Sequence, residues 1–208
     1  LFDPELDLKL NLQIDSICSI HLVNEISPAE RKFYLNARAS ATNVVGINYY
    51  YTAQYEQAIA YYQASFELYK QLEDLGGQAN AINNVGVVYF RMNQYDNAQE
   101  YYQKGLELRL EARDTTGIAG SYRNLATIYK NKGDLFTAMA YLNQEKELNR
   151  LIQDSVSIAT SNLEMGNIYY DLQEYEMAST YLHKAKLILE DLSAVRELTR
   201  AYNSIGAC

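Results

Sequence analysis

Two histidines, two cysteines and scattered carboxylates are the side chains here that could move protons, attack a carbonyl or hold a metal. None of them stands in a working arrangement. His21 and His183 lie far apart, and neither is matched to a Ser, Cys or carboxylate in a catalytic motif. Both read as surface residues of helices. Cys18 and Cys208 have no C-x-x-C spacing and no nearby pair of histidines, which argues against a zinc site or a disulfide framework. The acidic neighbours Glu145 and Glu147, and Glu190 and Asp191, read as solvated helix faces. There is no P-loop, no G-x-G-x-x-G and no H-E-x-x-H. The expectation is a protein that is not an enzyme and uses no metal or cofactor.

What remains is the chemistry of recognition, and it depends on the elements that carry the side chains. A small residue recurs at Gly46, Gly86, Ala126, Gly166 and Gly206, a step of 40 residues each time. Tyr49, Tyr89, Tyr129 and Tyr169 follow in the same phase, then Ala58, Ala98, Ala138 and Ala178, then Tyr61, Tyr101, Tyr141 and Tyr181. Val45, Val85, Leu125, Met165 and Ile205 precede the small residue, so apolar groups fall at i and i+4 on one helix face, helix A. The small residue lets a second helix approach, and the alanine column is its expected partner. Polar breaks such as Thr52–Gln54 and Lys132–Asp134 separate helix A from a helix B that starts near Tyr55, Tyr95, Leu135 and Tyr175. In the third unit Gly133 can end helix A in the left-handed conformation, and Asp134 can cap helix B. One hairpin cannot bury both of its faces, so the units must stack. The 20 tyrosines and the absence of Trp follow from this, since they occupy repeated packing positions.

These columns resemble the tetratricopeptide repeat family from about Ala37 to Cys208. The match departs from the family in its 40-residue unit and in the early helix A position, where Thr42, Ile82, Tyr122, Asn162 and Tyr202 stand. Long units of this kind look like those of bacterial sensor kinases and transcription regulators, and of eukaryotic cargo adaptors. The resemblance implies an all-α fold, a right-handed α-solenoid of stacked antiparallel helix hairpins. It divides the chain into a leading segment 1–36, repeats at 37–76, 77–116, 117–156 and 157–196, and the first helix of a fifth at 197–208. Two readings of the leading segment stay open. Asp3-Pro4 reads as a capped helix start, and a frame shifted by 40 puts Cys18 in the alanine column, which suits a degenerate repeat or capping helices. Leu6, Leu8, Leu10, Leu12 and Ile14 alternate as an extended strand would. Ser27 and Pro28 read as the cap and first residue of the next helix.

The family's groove positions, carried onto this sequence, are Asn43, Asn83 and Arg123, with Leu163 and Asn203 in the same column. Asn84 and Asn124 are in the neighbouring column, and Tyr50, Phe90, Lys130 and Arg91 lie near the helix ends. An asparagine ladder offers a donor and an acceptor at each rung, which suits an extended peptide backbone. The first three A helices carry Arg91, Arg123 and Lys130 and no acid, in a chain of net charge −8. That points to a peptide or protein partner with an acidic segment. Nucleic acid and anionic membrane are excluded as partners by the overall charge and the lack of clustered cations.

The expected function is a protein–protein interaction scaffold. The alternative is the sensory or dimerising region of a larger bacterial signalling protein with its output module beyond residue 208. Leu1 is not an initiator Met and Cys208 falls inside a helix pattern, so a fragment is expected. It should be a soluble region, with cytoplasm and periplasm both open, and an unpaired last helix leaves self-association open.

Overall fold

A computed structural model describes residues 4–192 and 194–207; Asp3 and Cys208 lie outside the described residues. The described chain is all helix and connecting turn: α1 (Pro4–Leu22), α2 (Pro28–Tyr51), α3 (Tyr55–Gln71), α4 (Leu75–Arg91), α5 (Tyr95–Glu111), α6 (Thr115–Asn131), α7 (Leu135–Leu151), α8 (Ser155–Asp171), α9 (Tyr175–Asp191) and α10 (Val195–Ala207). The A helices are α2, α4, α6 and α8, and each is followed by its B helix. Helices α2, α4, α7 and α8 each start on a side-chain cap. Ser27 and Glu30 form a reciprocal capping box around Pro28. The carboxylates of Asp74, Asp134 and Asp154 accept the backbone N–H groups of Gly77, Thr137 and Ser157.

Helices α3 to α9 are 17 residues each, separated by three-residue turns. A left-handed residue sits in every such turn: Ala53, Glu73, Asn93, Arg113, Gly133, Gln153 and Gln173. The following N–H reaches back five residues, as from Gln54 to the Tyr49 carbonyl and from Asp134 to the Tyr129 carbonyl, both at 2.9 Å. This is the Schellman ending, and it satisfies carbonyls that the helix end would otherwise orphan. The backbone thus repeats every 20 residues while the side chains repeat every 40.

The chain forms two compact units, residues 1–114 and 115–208. In the first, Ala58 and Tyr62 of α3 are buried against Val85 and Val88 of α4. In the second, Ala138 and Leu142 of α7 are buried against Met165 and Ile168 of α8, the equivalent positions two repeats on. The tyrosine columns pack against each other within hairpins: Tyr49 stacks on Tyr61, Tyr89 on Tyr101, Tyr129 on Tyr141 and Tyr169 on Tyr181, with centroids 5.2 to 5.6 Å apart. The small column meets the backbone of the expected alanine, with a Gly166 Cβ 3.3 Å from the Ala178 carbonyl, and meets a bulky side chain still more tightly. A Cβ on Gly46 would lie 2.7 Å from the Tyr62 ring, and one on Gly166 would lie 2.7 Å from Leu182. The glycine makes room for the bulky residue four places beyond the alanine.

Residues 4–22 are helical despite their alternating leucines. That alternation does not match a period of 3.6, so Leu6, Leu10, Leu12 and Ile14 stay exposed. Apolar packing holds one side of α1, where Cys18 is buried and Leu22 packs against Leu35, Ala39 and Leu68, and polar contacts add to it. Asp15 pairs with Arg38 at 2.8 Å, and Asp7 accepts a hydrogen bond from Asn48 at 2.7 Å. The helix α2 begins at Pro28, so residues 28–36 are the start of the first A helix.

Candidate functional site

The expected groove residues lie on A helices in both units, and each unit is built differently. In the first unit, α2 carries Asn43 and Tyr50 and α4 carries Asn83, Asn84, Phe90 and Arg91. Asn84 Nδ2 donates to Asn43 Oδ1 at 3.1 Å, so neighbouring A helices meet through residues 41 apart. Asn83 lies beside the B helix, its Cβ within 3.9 Å of the place a Gly105 side chain would begin. Tyr50 and Phe90 are half-buried and pack on the first residue of their own B helix, Tyr55 and Tyr95. Arg91 is exposed.

In the second unit, α6 carries Arg123, Asn124 and Lys130, all half-buried. The two cations are each met by an acid. Lys130 Nζ donates to Glu164 Oε2 of α8 at 2.9 Å. Arg123 donates through both Nε, at 2.7 Å, and Nη2 to a single oxygen, Glu145 Oε1 of α7. Between them is a cleft of about 20 Å³, room for about one water, lined by Arg123, Thr127, Lys130, Leu142, Glu164 and Ile168. Leu163, from the same expected column, is 1% exposed and belongs to the core with Leu182 and Leu189. Asn203 is exposed on α10.

Glu145 does not lie on a solvated face: it is fully buried. Its Oε1 also accepts from Asn149 Nδ2 at 3.2 Å, while Oε2 is buried with no donor. Ser161 faces this carboxylate, but its hydroxyl proton goes to the Ser157 carbonyl at 2.9 Å. Burial pushes the Glu145 carboxyl above its ordinary pKa, and the contacts with Arg123, Ser161 and Asn149 offset part of that rise. The signal was present in the repeat. The equivalent positions are Ser65, Gly105 and Ala185, so a glutamate stands in a column of small residues. Its neighbour Glu147 is the exposed one, at 62%.

His21 stacks on Tyr34, and His183 is exposed beside Ser179 of its own helix. Among the described residues no group of three His, Cys, Asp or Glu could hold a metal ion, and no helix is long and apolar enough to cross a membrane.

Two tetratricopeptide repeat models match the chain, over residues 37–111 and 159–188, together about half of its length. The interval between them holds the hairpin with Arg123, Lys130 and Glu145. No curated protein matches at a significant level. Solved structures share the fold at low identity. BtubC (BKLC) from P. vanneervenii is 16% identical, with a TM-score of 0.83 over 100% of this chain and 83% of that one. Aspartyl phosphate phosphatase F from Bacillus subtilis is 16% identical, with a TM-score of 0.75 over 83% of this chain and 47% of that one. The Rap conjugation gene regulator of plasmid pLS20, in complex with the Phr* peptide, is 16% identical, with a TM-score of 0.68 over 95% of this chain and 52% of that one. In sequence columns, in paired antiparallel helices and in its matches, the chain belongs to the tetratricopeptide repeat family.

Proposed function

We propose that this chain is a non-catalytic protein-interaction scaffold whose A helices hold an extended peptide or partner segment. The contacts in the first unit are Asn43, Tyr50, Asn83, Asn84, Phe90 and Arg91; those in the second are Arg123, Asn124 and Lys130. The observation that carries the reading is the Asn84–Asn43 bond. It uses one amide donor and one carbonyl, so the Asn43 amide and the Asn84 carbonyl remain for a ligand. A donor and an acceptor side by side match the alternating carbonyl and N–H groups of an extended backbone. A peptide-bound relative of the same fold adds support.

An acidic ligand suits Arg91, Arg123 and Lys130. In the second unit it must compete with Glu145 and Glu164, which already hold two of these cations. The test is selection from a random peptide library on the wild-type chain, followed by affinity measurements on variants. Replacing Asn43 and Asn84 with Ala should weaken first-unit ligands about tenfold, the worth of one or two ligand hydrogen bonds. Replacing Arg123 and Lys130 with Glu should abolish binding of acidic second-unit ligands. Unchanged affinity in both variants sinks the groove.

The second reading, a sensory or dimerising region of a larger bacterial signalling protein, is favoured by one observation. The chain spans about half the length of the two Rap-type relatives. A kinase, DNA-binding or other output module following residue 208 in the full-length protein would select it.

A further inference from the structure

We propose that Glu145 is the positioning and specificity residue of the second unit's groove: it clamps Arg123 and opposes its charge, so that a partner's anionic group is taken only in competition with a carboxylate built into the fold. This rests on the groove reading above and names how that groove is tuned.

The geometry is asymmetric. Nε and Nη2 of Arg123 converge on Oε1, together with Asn149 Nδ2, and no donor reaches Oε2. Nη1 is the guanidinium nitrogen left without a partner among the described residues. Arg123 keeps 40% of its side-chain surface while Glu145 keeps none. One end of the pair therefore faces solvent at the cleft, and the other is locked into the hairpin. A buried carboxylate is costly, and a purely structural role is served in the other hairpins by Ser65, Gly105 and Ala185 at the same position. Only the hairpin that carries Arg123 has an acid there.

The charged groups around Glu145 are few. From α6 it meets Arg123. Asp154, the cap of α8, acts on the pair through Arg123; against the cost of burial, the Ser157 hydroxyl and N–H, and then Arg123, hold the Asp154 carboxyl below its ordinary pKa. The other neighbours, Asn149 and Ser161, are neutral. Burial raises the Glu145 pKa, so it takes up a proton before an exposed glutamate does, and Arg123 then loses its counter-charge.

The probe is a synthetic peptide carrying several cysteic acid residues, whose sulfonates stay ionised over the pH range used, with an uncharged serine analogue as control. Its affinity for the full chain is measured by calorimetry from mildly acidic to neutral pH. Glu145→Gln keeps the shape and removes the charge; Glu145→Ser, the residue of the first hairpin, is the second variant should the first misfold. Neutralising Glu145 should tighten probe binding at neutral pH about fivefold, the low end of coupling between groups that share one charge. The wild type should approach the Glu145→Gln value as pH falls, and the gain should vanish when Arg123→Gln is added. Equal or weaker binding by both Glu145 variants overturns the proposal, as does a gain that survives Arg123→Gln.

Solvent exchange of the Arg123 Nε proton, followed by NMR, separates this failure from failure of the groove itself. Faster exchange in Glu145→Gln supports the clamp whatever the probe does, and unchanged exchange overturns it. A probe that binds none of the proteins while exchange accelerates overturns the groove reading and the competition with it.

Discussion

The contact between Gly46 and Tyr62 shows how one side chain sets the spacing of a hairpin. Tyr62 is 3% exposed and its ring lies where a Gly46 Cβ would be. A buried ring has no room to swing aside, so Gly46→Ala should cost about 1–3 kcal/mol, the usual penalty for overpacking. Gly166 faces Leu182 at the same 2.7 Å, yet the third hairpin already pairs Ala126 with Leu142 at these positions. A leucine can adjust where a tyrosine cannot. Gly166→Ala is therefore expected to cost less than Gly46→Ala in urea unfolding, and equal losses would mean that the partner's shape is irrelevant. Glu145 is the residue that plain sequence reading misplaced. Charge and local pattern put it beside Glu147 on a wet face, and only its column of small residues betrays the core. A single glutamate among Ser, Gly and Ala carries no local sign of which way its helix is turned.

At the scale of elements, the turns hold information that composition hides. Gly133 was legible as a helix stop because glycine tolerates a left-handed backbone, with φ of 83°. The same conformation at Ala53, Glu73, Arg113, Gln153 and Gln173 was not legible, since those residue types give no such signal; of the non-glycine positions, Asn93 alone is of a type that tolerates it. There the Schellman bonds and the packing of both helices impose it. A left-handed non-glycine residue costs about 1–2 kcal/mol. Ala53→Gly should recover up to about 1 kcal/mol of that, less the extra freedom glycine gives the unfolded chain. Gly133→Ala should lose a similar amount, and nothing lies within 4 Å of the added Cβ to complicate it. Both are read from the midpoint of thermal or urea unfolding; a destabilised Ala53→Gly would show that the turn is not strained. The helices themselves were legible from the 40-residue columns, including all four B helix starts. The first helix was ambiguous because its leucines follow a period of two, while it is held by buried Cys18, by Leu22 and by the contacts of Asp7 and Asp15.

For the molecule as a whole, the tyrosines that made the repeat visible also set its response to alkali. Burial pushes the phenols of Tyr61, Tyr62, Tyr69, Tyr89, Tyr102, Tyr141 and Tyr169 above the ordinary value of 10.0, in both units. In the stacked pairs a neighbouring hydroxyl adds to the rise, as Tyr49 does for Tyr61 and Tyr101 for Tyr89. A raised folded pKa means that the unfolded chain gives up its proton first. The native state then binds more protons than the unfolded one, and stability falls as pH climbs. The contribution is fully present below pH 10 and is lost progressively above it, towards the folded pKa values. The rise is largest at Tyr62 and Tyr102, and the other sites of the repeat add to it. Far-UV circular dichroism during thermal unfolding should therefore show a midpoint that drops steeply above about pH 10. Tyr62→Phe and Tyr102→Phe together keep both rings, remove the two most buried of these phenols, and should flatten that drop without changing its onset. An unaltered slope in the double variant would place the alkaline response elsewhere, in the exposed lysines and the rising net negative charge. Asn43 and Asn84 do not titrate, so the ligand binding proposed for them should persist until the units themselves unfold.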